Sequence, residues 1–134
     1  MDELELLAAL IFSEADKNDK KFDTDAAGVA HSVLNRMKEP EKYGSTLDEV
    51  IFKPKQYSGV EGKEFKKFFN GGLTAEEERY VKRAYKVAGG VLRGTIPDPT
   101  NGANHYFNPK LVKPSWAKKM KKTFTSGSHD YYKG

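Results

Sequence analysis

Several kinds of residue are absent or scarce in this 134-residue chain, and each absence excludes a class of function. There is no cysteine, which excludes a disulfide framework and thiol catalysis. Only three histidines are present and they are scattered, so we expect no metal site and no cofactor. No apolar run approaches the roughly 18 residues of a membrane span, and the chain begins with too many acidic residues for a signal peptide.

Length and composition predict one domain over residues 1–134, large enough to bury a real core. Aromatic residues make up 12% of the chain, which argues against disorder. We expect a monomer without a membrane span. Any action outside the cell would then require an export route that does not depend on a signal peptide.

Charge is distributed unevenly along the chain. Residues 1–50 contain 6 Lys and Arg against 12 Asp and Glu, whereas residues 51–134 contain 17 against 7. This asymmetry indicates a basic face suited to an anionic polymer, either a nucleic acid or an acidic glycan. A basic surface that only faces solvent explains the same counts.

The first apolar segment, residues 4–15, carries one carboxylate in an unusual place. Its apolar residues recur at the spacing of one helix face, and Glu14 falls inside the apolar arc, between Leu7 and Leu10. Burying a carboxylate without a partner is costly unless it takes a proton or lines a cleft. Glu14 is therefore either a side chain that reaches the rim of the helix or a general acid whose pKa is raised by apolar walls.

The rest of the sequence predicts a mostly helical domain of four or five helices. Further helices are expected over 25–38, 47–52, 64–70 and 75–92, and a short basic helix after Trp116 that includes Lys118, Lys119, Lys121 and Lys122. Asp23, Thr24 and Asp25 are candidate N-caps of the second helix. Residues 97–109 are rich in turn-forming and aromatic residues, and such loops often line a site.

Five blocks of the sequence, taken together and in order, resemble the SleB-type cell-wall hydrolases, the spore cortex-lytic enzymes. The blocks lie at residues 10–15, 29–36, 50–60, 98–109 and 127–132, so the resemblance covers essentially the whole chain. It implies a mostly α, lysozyme-like α+β fold with a long irregular, in part short-stranded, segment lining the site. It also implies cleavage of peptidoglycan glycan strands at the cell wall or spore cortex, reached by spore assembly, phage delivery or another route.

The same resemblance assigns roles to individual residues. Glu14 occupies the position of the family's catalytic glutamate. Substrate contacts are implied for Gln56, Tyr57 and Ser58, which match one family block with Tyr57 in place of a phenylalanine. They are also implied for Tyr106 and Asn108, which match a second block, and for Thr100 in the loop before it. His129 matches a recurrent late histidine, and both His129 and Trp116 are structural or site residues on this reading.

The nature of the second catalytic group separates two reactions. A hydrolase of the lysozyme type needs a second carboxylate, and the candidates by count are Asp23, Asp25, Glu61 and Asp98, none of which belongs to a recognisable pattern. Without one, the 6-hydroxyl of N-acetylmuramic acid attacks and Glu14 serves first as acid and then as base. We therefore favour a lytic transglycosylase over a muramidase acting on the same bond.

A small basic nucleic-acid-binding module is the alternative from a different class. It is supported by the charge of residues 51–134, but the sequence has no docking motif, and this reading leaves Glu14 unexplained.

Overall fold

The computed structural model describes residues 2–134 and shows six α-helices followed by a small sheet. The helices are α1 (Glu3–Glu14), α2 (Phe22–Met37), α3 (Pro40–Tyr43), α4 (Leu47–Phe52), α5 (Lys63–Asn70) and α6 (Ala75–Arg93). The strands are β1 (His105–Phe107), β2 (Lys121–Ser126) and β3 (His129–Lys133), and two 3₁₀ turns span Ser58–Glu61 and Ser115–Lys119. No helix within the described range is long and apolar enough to cross a membrane.

Helix α1 lies at the centre of the molecule. Every residue from Leu6 to Phe12 is buried, and the helix packs against α2, α4, α5 and α6. A helix that is apolar on all sides is stable in water only when other elements surround it, as here. The sequence-based prediction of an apolar opening helix is confirmed, and its N-terminus is capped by Asp2, which accepts a hydrogen bond from the amide of Glu5 at 2.7 Å.

The C-terminal end of α1 is fixed by its own backbone. The amide of Ala15 donates to the carbonyl of Ile11 at 2.9 Å, and the hydroxyl of Ser13 donates to the carbonyl of Leu10 at the same distance. Glu14 is the last helical residue and is half-buried. The helix therefore holds this side chain at the edge of the core.

The three strands form an antiparallel sheet in the order β1-β3-β2. Tyr106 of β1 lies opposite Tyr131 of β3. The predicted basic helix after Trp116 is wrong beyond its first turn: the chain makes a 3₁₀ turn over Ser115–Lys119 and then enters β2, which pairs with β3. This segment forms a strand because it pairs with β3 and the ring of Phe124 packs on Tyr131. Such long-range contacts override the local helix propensity of the segment.

Helix α2 begins earlier than predicted, at Phe22, so all three candidate caps, Asp23, Thr24 and Asp25, lie inside the helix. Its N-cap position is Lys21, which makes no capping hydrogen bond. Asp23 forms an exposed ion pair with Arg83 at 3.1 Å. Asp25 lies in the first turn of the helix but is fully buried.

Asp25 connects α2 to the sheet through both of its carboxylate oxygens. Oδ2 accepts hydrogen bonds from the amide of Asp16 at 2.8 Å and from Nδ1 of His129 at 2.9 Å, and Oδ1 accepts one from the hydroxyl of Tyr131 at 2.6 Å. A buried carboxylate is stable only when donors of this kind satisfy it. Asp25 therefore fixes where β3, and with it β1, meets the helices.

The contact with Asp25 controls the protonation of His129. Burial disfavours the charged imidazolium, but the hydrogen bond and the negative charge of Asp25 outweigh it and raise the pKa of His129 above its ordinary value. Glu14 and Asp16 add to the same effect. The contact with Asp25 thus favours the charged form of His129.

Substitution of Gly28 by alanine should destabilise the fold. A Cβ atom at Gly28 would lie 2.6 Å from the ring of Tyr131, whose buried side chain cannot move without breaking its bond to Asp25. We expect the free energy of unfolding to fall by about 1–3 kcal/mol, as for other overpacked cores, measured by urea denaturation.

Gly89→Ala is the matched control, because it adds the same methyl group to α6 where the nearest atoms belong to the flexible side chain of Arg93. It should be neutral or stabilise the helix by up to about 1 kcal/mol. Equal destabilisation by both variants would contradict the packing described for Gly28.

Loss of the His129–Asp25 pair should give a defined pH dependence of stability. Since the folded-state pKa of His129 lies above that of the unfolded chain, about 6.5, the contribution of the pair is complete below that pH and is lost as pH rises through the folded-state pKa. The stability difference between wild type and His129→Gln should therefore shrink as pH rises above about 6.5 in denaturation experiments. A difference that stays constant over this range would show that the pair is not charged.

Candidate active site

Glu14 faces a groove of about 470 Å³ between the end of α1, helix α2, the turn Ser58–Glu61 and the segment that follows β1. The groove is lined by a mixture of polar, aromatic and aliphatic side chains: Ser13, Glu14, Arg36, Lys55, Gln56, Ser58, Tyr106, Phe107, Asn108, Leu111, Val112, Pro114, Trp116 and His129. Among the side chains of residues 2–134 that line it, Glu14 is the only carboxylate.

The carboxylate of Glu14 is held by Tyr106. The hydroxyl of Tyr106 donates a hydrogen bond of 2.5 Å to Oε1 of Glu14, across 92 residues of sequence. Burial, and then the charge of Glu14, raise the pKa of Tyr106 well above its ordinary value, so this phenol remains a neutral donor. Because Oε1 is occupied by Tyr106, Oε2 is the oxygen available to carry a proton to a ligand.

The backbone of Gly59 lies directly against the other side of the same carboxylate. A Cβ atom at Gly59 would overlap Oε2 of Glu14 and would lie 2.7 Å from the hydroxyl of Ser13. Any larger residue at position 59 would therefore push the carboxylate out of its place. Gly59 appears in the sequence only as part of a turn, and close approach of backbone to a site residue is a known reason for glycine.

Aromatic rings fix the position of Tyr106. Its ring centroid lies 5.1 Å from that of His129, 5.3 Å from that of Tyr131 and 6.2 Å from that of Tyr57. Tilted and edge-on pairs at these distances are favourable. The wall around Glu14 is therefore aromatic and polar on the groove side, and Leu7 and Leu10, the wall predicted from the sequence, lie fully buried in the core.

Six of the predicted contact or accessory residues line the groove with Glu14: Gln56, Ser58, Tyr106, Asn108, Trp116 and His129. Asn108 also caps its own turn by accepting from the amide of Lys110 at 2.9 Å. Trp116 packs against Phe107 and Tyr132, so it is both a structural anchor and part of the groove. These positions are consistent with the predicted roles.

Two of the predicted contact residues lie elsewhere, and the structure corrects both. Tyr57 is 3% exposed, its hydroxyl is hydrogen-bonded to Ser32 at 2.9 Å, and its ring supports the groove from below. Thr100 is fully buried and donates to Asp98 at 2.6 Å. Neither presents a polar atom to a ligand, since each polar atom is already satisfied inside the protein.

None of the four candidates for a second catalytic carboxylate lines the groove, and three of them are engaged by other residues. Asp23 pairs with Arg83, and Asp25 is enclosed by its three donors. Asp98 accepts bonds from Thr100, Asn35 and Gly102; these bonds outweigh burial and lower its pKa. Glu61 lines an adjoining depression, which shares Lys55 and Ser58 with the groove.

Arg36 is a groove residue to which sequence reasoning gave no role. Its side chain is 4% exposed, Nε donates to the carbonyl of Asn104 at 2.6 Å and Nη1 donates to Oε1 of Gln56 at 3.0 Å. The sequence did contain a signal for this role. Asp25, Ser32 and Arg36 are spaced by seven and four residues, so they form a polar stripe on the buried face of α2.

Comparison with known proteins agrees with the sequence motifs. A family model described as cell wall hydrolase matches residues 23–132, which is most of the chain, although the match begins after Glu14. No curated protein matches the sequence.

Two solved structures share the fold. One is the catalytic domain of the germination-specific lytic transglycosylase SleB from Bacillus anthracis, with a TM-score of 0.68 and 21% identity over 99% of this chain and 97% of that chain. The other is the catalytic domain of the SleB protein of Bacillus cereus, with a TM-score of 0.65 and 22% identity over 97% of this chain and 88% of that chain. The fold is thus the predicted lysozyme-like α+β fold, and the chain belongs to the cell wall hydrolase family.

Proposed function

We propose that the protein is a lytic transglycosylase that cleaves the β-1,4 bond between N-acetylmuramic acid and N-acetylglucosamine in peptidoglycan. The observation that carries this proposal is the single carboxylate, Glu14, among the groove-lining side chains of residues 2–134. Membership of the cell wall hydrolase family supports the substrate class. It also argues against a nucleic-acid-binding module, a reading that leaves Glu14 unexplained.

In the proposed reaction Glu14 acts as acid and then as base. Its Oε2 proton passes to the bridging oxygen as the bond from that oxygen to C1 of N-acetylmuramic acid breaks, which leaves an oxocarbenium-like centre. The 6-hydroxyl of the same sugar then bonds to C1 and returns its proton to Glu14. The products are a free 4-hydroxyl on N-acetylglucosamine and a 1,6-anhydro ring, and no water is consumed.

Lysozyme-type hydrolysis is the alternative, and it has a geometric requirement. It needs a second carboxylate about 5–5.5 Å away for retention or 6.5–9.5 Å away for inversion. Three of the four sequence candidates are held by hydrogen bonds or ion pairs: Asp23 by Arg83, Asp25 by His129 and Tyr131, and Asp98 by Thr100. Glu61 lines the depression that adjoins the groove at Lys55 and Ser58, and it is not among the groove-lining residues. The absence of a second carboxylate from the groove lining within the described chain therefore favours intramolecular attack.

Other groove residues fit the binding of an N-acetylated glycan. Gln56, Ser58 and Asn108 supply amide and hydroxyl groups for sugar hydroxyls and N-acetyl groups. Trp116 and Phe107 supply flat apolar area on the opposite side, which suits a sugar face.

Glu14→Gln should abolish activity without affecting the fold. Glutamine keeps the shape and can accept from Tyr106, but it has no proton to give, so we expect clearing of a peptidoglycan suspension to fall by roughly 10²–10⁴-fold. The thermal midpoint should stay within a few degrees of wild type. Substantial residual clearing by a folded Glu14→Gln protein would mean that another residue is the acid.

The products distinguish the two reactions. Mass spectrometry of soluble muropeptides should find 1,6-anhydro ends, 18 Da lighter than the hydrolysis product and unable to react with borohydride. Reducible ends as the major product would favour the muramidase.

Gly59→Ala should impair the chemistry more than the binding of substrate. The added methyl group would displace the carboxylate of Glu14, and misplacement of a catalytic group by about 1 Å costs on the order of 100-fold in rate. We expect kcat to fall by about 10- to 100-fold with little change in KM.

Gly89→Ala is again the control, since a Cβ atom there meets only the flexible side chain of Arg93. Near-wild-type kcat in Gly59→Ala would show that the backbone of Gly59 does not set the position of the acid.

A further inference from the structure

The guanidinium of Arg36 is a buried charge without a carboxylate partner. No carboxylate of residues 2–134 lies within ion-pair distance of it, and its two hydrogen-bond acceptors, the carbonyl of Asn104 and the side chain of Gln56, are neutral. The rings of Tyr57 and Tyr43, at 4.5 and 5.2 Å, compensate the charge in part. Burial of an arginine in this way is unfavourable unless the charge has a further partner.

Part of this guanidinium remains open to the groove. Nη2 of Arg36 has no acceptor in the protein, and in the described chain only Tyr43 and Thr123 have buried side-chain atoms without a partner. Nη2 is therefore not fully buried, and Arg36 lines the groove. The neighbours that hold Nε and Nη1 fix the plane of the guanidinium and orient it for a ligand.

A second free cation lines the same groove. Lys55 is exposed, makes no ion pair within residues 2–134, and has a backbone φ of 64°, a left-handed conformation that is uncommon for a residue other than glycine. His129, the third cation, is already matched by Asp25. Within the described chain, Arg36 and Lys55 are thus two cations of the groove without an ion-pair partner, and the one carboxylate that lines the groove, Glu14, is hydrogen-bonded to Tyr106.

We propose that Arg36, assisted by Lys55, forms a carboxylate-binding subsite beside the reaction centre. A planar guanidinium with a free edge matches a carboxylate better than it matches a sugar hydroxyl. The inference rests on the proposed function and deepens it: the preferred substrate is a glycan that carries a free carboxylate on its muramic acid unit. That carboxylate belongs either to the lactyl group, where the stem peptide is absent, or to the stem peptide itself.

The test is calorimetric binding of glycan strands to the Glu14→Gln protein, in which no turnover occurs. Four probes are compared: strands with stem peptides, stem-free strands, and each of these after conversion of its carboxylates to methylamides with carbodiimide. We expect conversion to weaken binding at least ten-fold for one pair of probes. A loss confined to the stem-free pair assigns the lactyl carboxylate, and a loss confined to the stem-bearing pair assigns the peptide.

Variants locate the effect on the protein. In Glu14→Gln/Arg36→Gln the penalty for methylamide conversion should drop below about two-fold, and Arg36→Lys should retain part of it. Lys82→Gln on the exposed face of α6 removes the same charge outside the groove and should retain all of it. If Arg36→Gln does not fold, Lys55→Gln, at an exposed position, should reduce the penalty.

Equal affinity of Glu14→Gln for charged and methylamidated strands of both kinds would overturn the subsite. So would an unchanged penalty in a folded Arg36→Gln background. Failure of the subsite is distinguishable from failure of the proposed function, because wild-type enzyme would then still release 1,6-anhydro products from the methylamidated strands.

Discussion

The hydrogen bond between Tyr106 and Glu14 is the contact on which the proposed site depends. It joins the end of the central helix to a strand 92 residues later, so it forms only when helices and sheet are docked correctly. Docking in turn relies on Asp25, whose carboxylate binds His129 and Tyr131 of the neighbouring strand. The buried carboxylate of Asp25 thus positions the sheet, and the sheet, through Tyr106, orients the carboxylate of Glu14 in the groove.

The two carboxylates show how environment separates a structural role from the catalytic role proposed for Glu14. Asp25 is fully buried and is satisfied by three donors, one of them a histidine whose pKa its charge raises. Glu14 is half-buried, has one phenolic donor on Oε1, and leaves Oε2 beside a glycine and an open groove. If burial were the only criterion, Asp25 would be the candidate general acid. Glu14 is the better candidate because it is accessible to a ligand and has one oxygen without a hydrogen-bond donor among the described residues.

Much of the helical part of the fold could be predicted, because helix periodicity and capping residues are local signals. Glu14 was found as a charge in an apolar arc, which is also local. The errors arise where distant contacts decide: Lys121 and Lys122 enter a strand because β3 pairs with them, and Thr100 serves a buried turn. Arg36 was missed because a charged residue on a helix face is usually exposed to solvent. Only the folded structure shows that a strand and a loop cover it.

The most direct measurement of the central claim is a crystal structure of the Glu14→Gln protein with a bound N-acetylmuramic acid–N-acetylglucosamine oligomer. The account predicts the bridging oxygen within about 2.6–3.2 Å of the residue 14 side chain, the 6-hydroxyl of N-acetylmuramic acid facing C1, and no carboxylate of the protein on the opposite face of that sugar. A scissile bond seated against a different acidic residue, or a second carboxylate with a water molecule between it and C1, would contradict it.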